Sequence, residues 1–290
     1  MALSNLAARV IFAVVAIPVL LLLVYVGGLP LAILLAIAGG RAAWEYYGIA
    51  EAAGDRPMAI TGTVIAAAIP LAVFGYQIGR FHPPVFTLAA TVTLLVFALA
   101  IWWRGVEAKP TGAVATTLFG AVYTGGMLSF AYGLRYHNYA VGATAGTALV
   151  FYPLILTWTS DTAAYFVGRA LGKRKLIPSV SPGKTVAGAV GALIASVVVS
   201  WLYARFVLPH FARLSMLHWQ AIWFGVVVSV AVQLGDLAES LIKRDAKVKD
   251  SSHLIPGHGG MLDRIDSLLF AIPVAYLIFT FPHAFFPVNR

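Results

Sequence analysis

No cysteine occurs among the 290 residues, which excludes disulfides, thiol catalysis and cysteine-ligated metals. Charged residues make up 11% of the chain, against about 25% in a soluble domain. Acidic residues are the scarcer sign, with 11 Asp and Glu against 20 Lys and Arg. Polar linkers, low-complexity tracts and internal repeats are also lacking. These absences exclude a water-soluble globular enzyme and a disordered chain. What is present is apolar: 60% hydrophobic residues and a mean hydropathy of +0.87. This is the composition of an integral membrane protein with little outside the bilayer. The net charge of +9 calls for no nucleic acid, because membrane proteins concentrate Lys and Arg in cytoplasmic loops, where they also meet anionic lipid.

A bilayer-crossing helix needs about 20 mainly apolar residues. Segments of that kind fall at 10–27, 30–50, 58–76, 84–103, 111–131, 145–168, 186–207, 217–239 and 264–282. The expected fold is therefore all-α and polytopic, with about nine transmembrane helices in a single integral membrane domain, 1–290. Within it, 1–144 reads as helical scaffold and 145–290 as catalytic helices and cytoplasmic loops. The first apolar run is longer than a signal core and leads into Gly27-Gly28-Leu29-Pro30 rather than a small-residue cleavage site, so it reads as a membrane helix. Arg41 and Glu45 interrupt the second span four residues apart, and an ion pair on one helix face accounts for them. Tyr46, Tyr47, Trp102 and Trp103 read as interfacial anchors.

Orientation follows from the distribution of basic residues. With the N-terminus cytoplasmic, Arg9, Arg56, Arg104, Lys109, five bases in 169–184 and five in 243–264 face the cytoplasm, 14 in all. Arg80, Arg135, Arg205, Arg213 and Arg290 face the other side, 5 in all. The two most basic loops are separated by two spans and so share the cytoplasmic side, where nucleotides are found. A bacterial plasma (inner) membrane is the expected location, with the active site on its cytoplasmic face.

Six of the 11 acids lie within 236–266. Asp236, Ser240 and Lys243 are spaced i, i+4, i+7 and share one helix face, and Asp263 and Asp266 are spaced i, i+3 and share another. Between them the Pro256-Gly257-His258-Gly259-Gly260 turn has positions free of side-chain bulk, which lets backbone amides approach a ligand. Converging carboxylates with oxygen donors only suit a hard cation such as Mg²⁺. Lys243, Arg244, Lys249 and Arg264 around them are donors for phosphate oxygens. A purely electrostatic lipid anchor would use the bases and have no need of six acids, although Glu239, Asp245 and Asp250 taken singly read as solvated charges.

A second candidate region joins Asp161, inside an apolar span, to a loop with five bases and no acid. An acid at membrane depth is costly and by default a functional residue facing the protein interior. Ser181-Pro182-Gly183-Lys184-Thr185 opens the next helix and places a lysine beside a helix N-terminus, an arrangement suited to anions. It is not a P-loop, which would need glycine at Pro178 and a preceding strand. A cation-coupled transporter would also carry acids in its spans, but near the midplane rather than gathered at the cytoplasmic edge.

The pattern Ser240-x-Ile242-Lys243-Arg244-x4-Lys249-Asp250-x-Ser252-x2-Ile255-Pro256-x-His258-Gly259-Gly260-Met261-x-Asp263-Arg264-Ile265-Asp266 resembles the signature of the phosphatidate cytidylyltransferase (CDP-diacylglycerol synthase) family along its whole length. Asp161-Thr162-x-Ala164-Tyr165 with the Ser-Pro-Gly-Lys-Thr segment is similar to a second stretch of that family; Ala187 departs from the Glu that many relatives carry there. The resemblance implies a Mg²⁺-dependent nucleotidyltransferase of phospholipid biosynthesis, joining CTP and phosphatidate to give CDP-diacylglycerol and pyrophosphate. It implies Asp236, Asp263 and Asp266 as metal ligands, with a second, monovalent cation such as K⁺ compatible with them. Ser240, Lys243, Arg244, Lys249, His258 and Arg264 would serve the phosphates. Asp161, Ser181, Lys184, Gly259 and Gly260 would complete the substrate site. The implied partners are CTP, phosphatidate and membrane lipids, with a homodimer compatible and no nucleic acid.

Overall fold

The computed structural model describes residues 5–80, 84–104, 106, 109–212, 214–252 and 259–281. Helices fall on the expected apolar segments: α1 (Asn5–Val26), α2 (Gly28–Ala52), α3 (Ala59–Gln77), α4 (Val85–Trp103), α5 (Pro110–Ala121), α6 (Met127–Arg135), α7 (Ala143–Leu171), α8 (Val186–Leu202), α9 (His218–Asp245), α10 (Leu262–Ile265) and α11 (Leu268–Thr280). Among the described residues, α3, α4, α9 and the stretches Pro110–Arg135 and Val186–Ala212 are long and apolar enough to cross a membrane by length and composition. The helices α2 and α7 have the length but are less apolar, and α11 has only 13 residues. The all-α, polytopic class holds, while the expected count of nine is not what these criteria return.

Among the described residues, two stretches are π-helical. Val122–Gly126 joins α5 to α6 as a π-helical turn, and Tyr203–Ala212 extends α8 as a π-helix. Between α7 and α8, where a loop is expected, β1 (Lys175–Ile177) and β2 (Ser181–Thr185) pair antiparallel, with Lys175 opposite Thr185 and Ile177 opposite Ser181. A strand thus does precede Gly183-Lys184-Thr185, which is itself strand; the helix starts one residue later, with Thr185 as its cap accepting from Gly188 N–H at 3.1 Å.

The chain folds as two compact units. The first takes Gly28–Tyr132 and, from much later in the chain, Ile242–Arg264. The second takes Leu20–Gly27, Gly133–Leu241 and the residues from Ile265 on.

In the first unit, small residues let helices close on one another: a Cβ at Gly39 would lie 2.9 Å from Gly125 Cα, and one at Gly125 would run into the Ala66 carbonyl. Tyr46 and Tyr47, expected at the interface, are instead buried here. The Tyr47 hydroxyl donates to the Thr117 carbonyl at 2.6 Å, and the Thr117 hydroxyl accepts from Met58 N–H at 2.8 Å. The tyrosines sit where Gly62 and Gly120 leave room for their rings. Trp102 and Trp103 stay exposed, as interfacial anchors would. Met58, Val96, Ala100 and Val114 form an apolar cluster beneath.

The second unit is built on α7. Its Tyr152 stacks between Tyr203 (4.5 Å between centroids) and Phe224 (4.2 Å), with its hydroxyl 2.7 Å from Ser200 Oγ. The helices α7 and α8 approach so closely that a Cβ at Gly188 would lie 2.7 Å from the Ala164 carbonyl. Arg135, 5% exposed, donates to the Val24 and Tyr25 carbonyls at the end of α1 (2.6 and 2.8 Å). That satisfies helix-terminal acceptors with a cation, the favourable sign at a C-terminus.

Candidate active site

The second unit contains a cavity of about 440 Å³, within the range of small-ligand sites. Helix α7 contributes Ser160, Asp161, Tyr165 and Arg169; the hairpin contributes Lys175, Gly183 and Lys184; α9 contributes Gln233 and Asp236. Lys184 Nζ lies 2.7 Å from Asp236 Oδ2, with both side chains part-exposed (25% and 35%). Arg169 donates to the Tyr165 hydroxyl at 3.0 Å from the next turn. Asp161 is exposed and lines this cavity rather than being enclosed in protein. The site therefore offers cations, carboxylate oxygens and glycine backbone on one wall set. Ser181 does not line it; it faces Ile177 across the hairpin.

Asp266 belongs to the same unit and follows α10 in a turn, so the expected continuous helix through Asp263 and Asp266 is broken there. Its Oδ1 accepts Ser267 N–H at 2.6 Å. One residue before Asp236, the absence of a side chain at Gly235 lets α9 meet this turn: a Cβ there would lie 2.8 Å from the Asp266 carbonyl oxygen. Asp236 and Asp266 are thus carried by backbones in contact.

The first unit holds the other half of the acidic signature. Lys243 Nζ lies 2.7 Å from Asp263 Oδ1, and both side chains are nearly buried (13% and 9% exposed). Asp263 Oδ2 accepts Gly260 N–H at 2.8 Å, Ser251 Oγ–H at 2.8 Å and Ser251 N–H at 3.1 Å. Asp263 therefore organises the segment that precedes it. Gly259, with φ +76°, adopts a left-handed conformation that suits glycine, and a Cβ there would crowd Asp263 Oδ2 at 2.7 Å.

A residue that sequence reasoning reduced to an ion pair completes this cluster. Glu45 on α2 does pair with Arg41 at 3.2 Å, but its carboxylate also accepts Ser252 Oγ–H at 2.7 Å and Leu262 N–H at 2.8 Å. The rule that an acid at membrane depth is functional by default singled out Asp161 and applies equally to Glu45. Glu239, read as a solvated charge, is 1% exposed. Ser240 is half-buried on α9, and Arg244, Lys249 and Arg264 are exposed. Arg244 donates to the Val248 carbonyl at 3.4 Å. His258 lies outside the described residues.

No three Asp, Glu or His side chains among the described residues gather closely enough to hold a metal ion. Of the expected metal ligands, Asp236 and Asp266 belong to the second unit and Asp263 to the first. The donor chemistry still fits Mg²⁺, which commonly takes one or two carboxylates and completes its shell with water and substrate phosphate. Asp236 and Asp266 each present a carboxylate of that kind, one oxygen of the former beside Lys184 and one of the latter on Ser267 N–H, while both oxygens of Asp263 are engaged by Lys243 and the glycine segment.

A helical membrane protein with a cationic, carboxylate-lined cavity and a glycine-bearing acidic signature has the groups that suit phosphates at a membrane. The chain matches the model of the Cytidylyltransferase family over residues 7–281 and belongs to that family, so it is a nucleotidyltransferase. It is 32% identical to a phosphatidate cytidylyltransferase of Bacillus subtilis over 93% of this chain and 96% of that one. It is 46% identical to one of Haemophilus influenzae over 48% of each chain, and 37% identical to one of Staphylococcus haemolyticus over 52% of this chain and 57% of that one. In those two matches the chain spans about half the length of the relative.

Proposed function

We propose that the chain joins CTP and phosphatidate, releasing pyrophosphate and leaving CDP-diacylglycerol, in phospholipid biosynthesis. The observation that carries the reading is its likeness to the Bacillus subtilis relative over nearly the full length of both chains. The cavity chemistry supports it. The second pKa of a phosphate monoester is roughly 6, so the lipid phosphate is mostly dianionic at neutral pH and needs no general base. One of its oxygens attacks the α-phosphorus of CTP, a new P–O bond forms, and the α–β bridging P–O bond breaks with its electron pair leaving on pyrophosphate. The obstacle is repulsion between two anions, which calls for positioning and charge neutralisation.

Lys184, Arg169 and Lys175 supply cations around the cavity, with Lys184 the candidate for the lipid phosphate. Gly183, with open space around its backbone, leaves room for phosphate oxygens. Asp236 orients Lys184, its partner at 2.7 Å. Asp236 and Asp266 would hold Mg²⁺, and when bound it neutralises charge on the nucleotide phosphates. A monovalent cation such as K⁺ rests on the family resemblance alone, as does a homodimer. The basic loops support a cytoplasmic active site in a bacterial plasma membrane.

The test is turnover of labelled CTP and phosphatidate to a CDP-lipid by purified protein in detergent with Mg²⁺. Asp236→Asn is expected to lower kcat at least about 100-fold without changing expression. Wild-type protein that forms no CDP-lipid refutes the activity, and full turnover by Asp236→Asn refutes the role given to that residue.

A further inference from the structure

The Glu45 side chain is 1% exposed, on a helix that the sequence marks as scaffold. An i,i+4 pair with Arg41 would leave its carboxylate at the surface, where such pairs contribute little. Four groups face it instead. Oε1 lies 3.2 Å from Arg41 Nη2 and accepts Ser252 Oγ–H at 2.7 Å. Oε2 accepts Leu262 N–H at 2.8 Å and lies 3.1 Å from Ser251 Oγ. That matches the roughly four lone-pair sites of a carboxylate. Ser251 and Ser252 precede the glycine segment of the signature and Leu262 follows it, so one side chain holds both ends.

Two further observations tie this cluster to Asp263. The Ser251 hydroxyl has one hydrogen and stands 2.8 Å from Asp263 Oδ2 and 3.1 Å from Glu45 Oε2, so the two carboxylates share it. Gly260, whose N–H binds Asp263, has no space for a side chain: a Cβ would run into both the Ser251 hydroxyl and the Glu45 carboxylate. The donors of this segment are thus divided between Glu45 and Asp263.

We propose that Glu45 is a positioning residue for cytidylyl transfer, clasping the signature segment from α2 at Ser251, Ser252 and Leu262 and so fixing where Lys243 and Asp263 stand. It touches no substrate and acts through the segment it holds. The inference rests on the proposed transferase reading, and its test separates the two.

Glu45→Gln keeps the shape and removes the charge. Its kcat for CTP and phosphatidate is expected to fall about 10- to 100-fold, as for partners that orient a site, with both KM values changed far less. Hydrogen exchange at the Leu262 amide is expected to accelerate in the same variant, and this readout needs no activity. Should wild-type protein form no CDP-lipid, the transferase reading fails and the exchange measurement alone judges the clasp. Wild-type kcat together with wild-type Leu262 exchange in Glu45→Gln overturns the proposal. Restoration of full activity in Arg41→Gln/Glu45→Gln overturns it too, because Glu45 would then serve only to neutralise Arg41. If Glu45→Gln does not fold, Ser252→Ala takes its place: a loss of about 5-fold in kcat is expected, recovered in Ser252→Thr, which restores the hydroxyl. Wild-type kcat in Ser252→Ala overturns the proposal by that route.

Discussion

Replacing Asp263 by Asn separates a carboxylate that organises the chain from one that only binds a metal. The side chain accepts from Lys243 Nζ, Ser251 Oγ–H, Ser251 N–H and Gly260 N–H at 2.7–3.1 Å. An Asn keeps the outline but puts an NH₂ group where one oxygen accepted. Lys243, 13% exposed, then loses its counter-charge, and a donor in the glycine segment faces another donor. Breaking a buried ion pair by removing one partner costs about 3–5 kcal/mol. The residual solvent access of Lys243 favours the lower end, about 3 kcal/mol in total. For a chain of this size that corresponds to a fall in melting midpoint of about 6–12 °C. The assay is thermal unfolding in detergent with EDTA present, so that no divalent ion contributes. Lys243→Met/Asp263→Asn removes both charges and is expected to regain about 2 kcal/mol over the additive sum. An Asp263→Asn variant that melts at the wild-type midpoint without metal, with no coupling to Lys243, refutes the organising role. Its carboxylate would then act through an ion alone, as the sequence suggests.

Two other outcomes are checkable. His137, in the loop before α7, sits among Tyr139, Tyr276 and Phe279 with Thr280 Oγ1 at 3.4 Å, and burial pushes its pKa below the ordinary 6.5. The unfolded chain takes up the proton first, so stability is expected to fall as pH drops below about 6.5 and to be indifferent to this group above it; His137→Phe should flatten that part of a melting-versus-pH curve, and an unchanged curve refutes the assignment. Because the chain has no cysteine, single substitutions report sidedness: in intact cells an impermeant maleimide is expected to label Val141→Cys and spare Lys173→Cys, and the reverse pattern refutes the orientation.

Much of the candidate site was readable because its chemistry is rare in this composition. Acids are few, so six within 236–266 stand out, and Lys184 with Asp161 stand out against apolar helices. The pairing was not readable. Nothing in the spacing says that Lys184 on the hairpin meets Asp236 on α9, or that Lys243 pairs with Asp263. The hairpin between α7 and α8 was hidden by its shortness, three and five residues with Pro178 just after the first strand and Pro182 inside the second. Tyr46 and Tyr47 went to the core because facing glycines leave space for them, a property of the neighbouring helices rather than of the tyrosines.

Apolar length, basic loops and a compact acidic signature, all local or compositional, determined the helical membrane class, the family and the residues worth testing. They act through transfer free energy and charge placement, which a linear string already contains. Tertiary structure alone decided the partners. Glu45 meets Ser251, Ser252 and Leu262 across 206 to 217 residues of chain, and such contacts arise only when helix packing brings them within hydrogen-bonding distance.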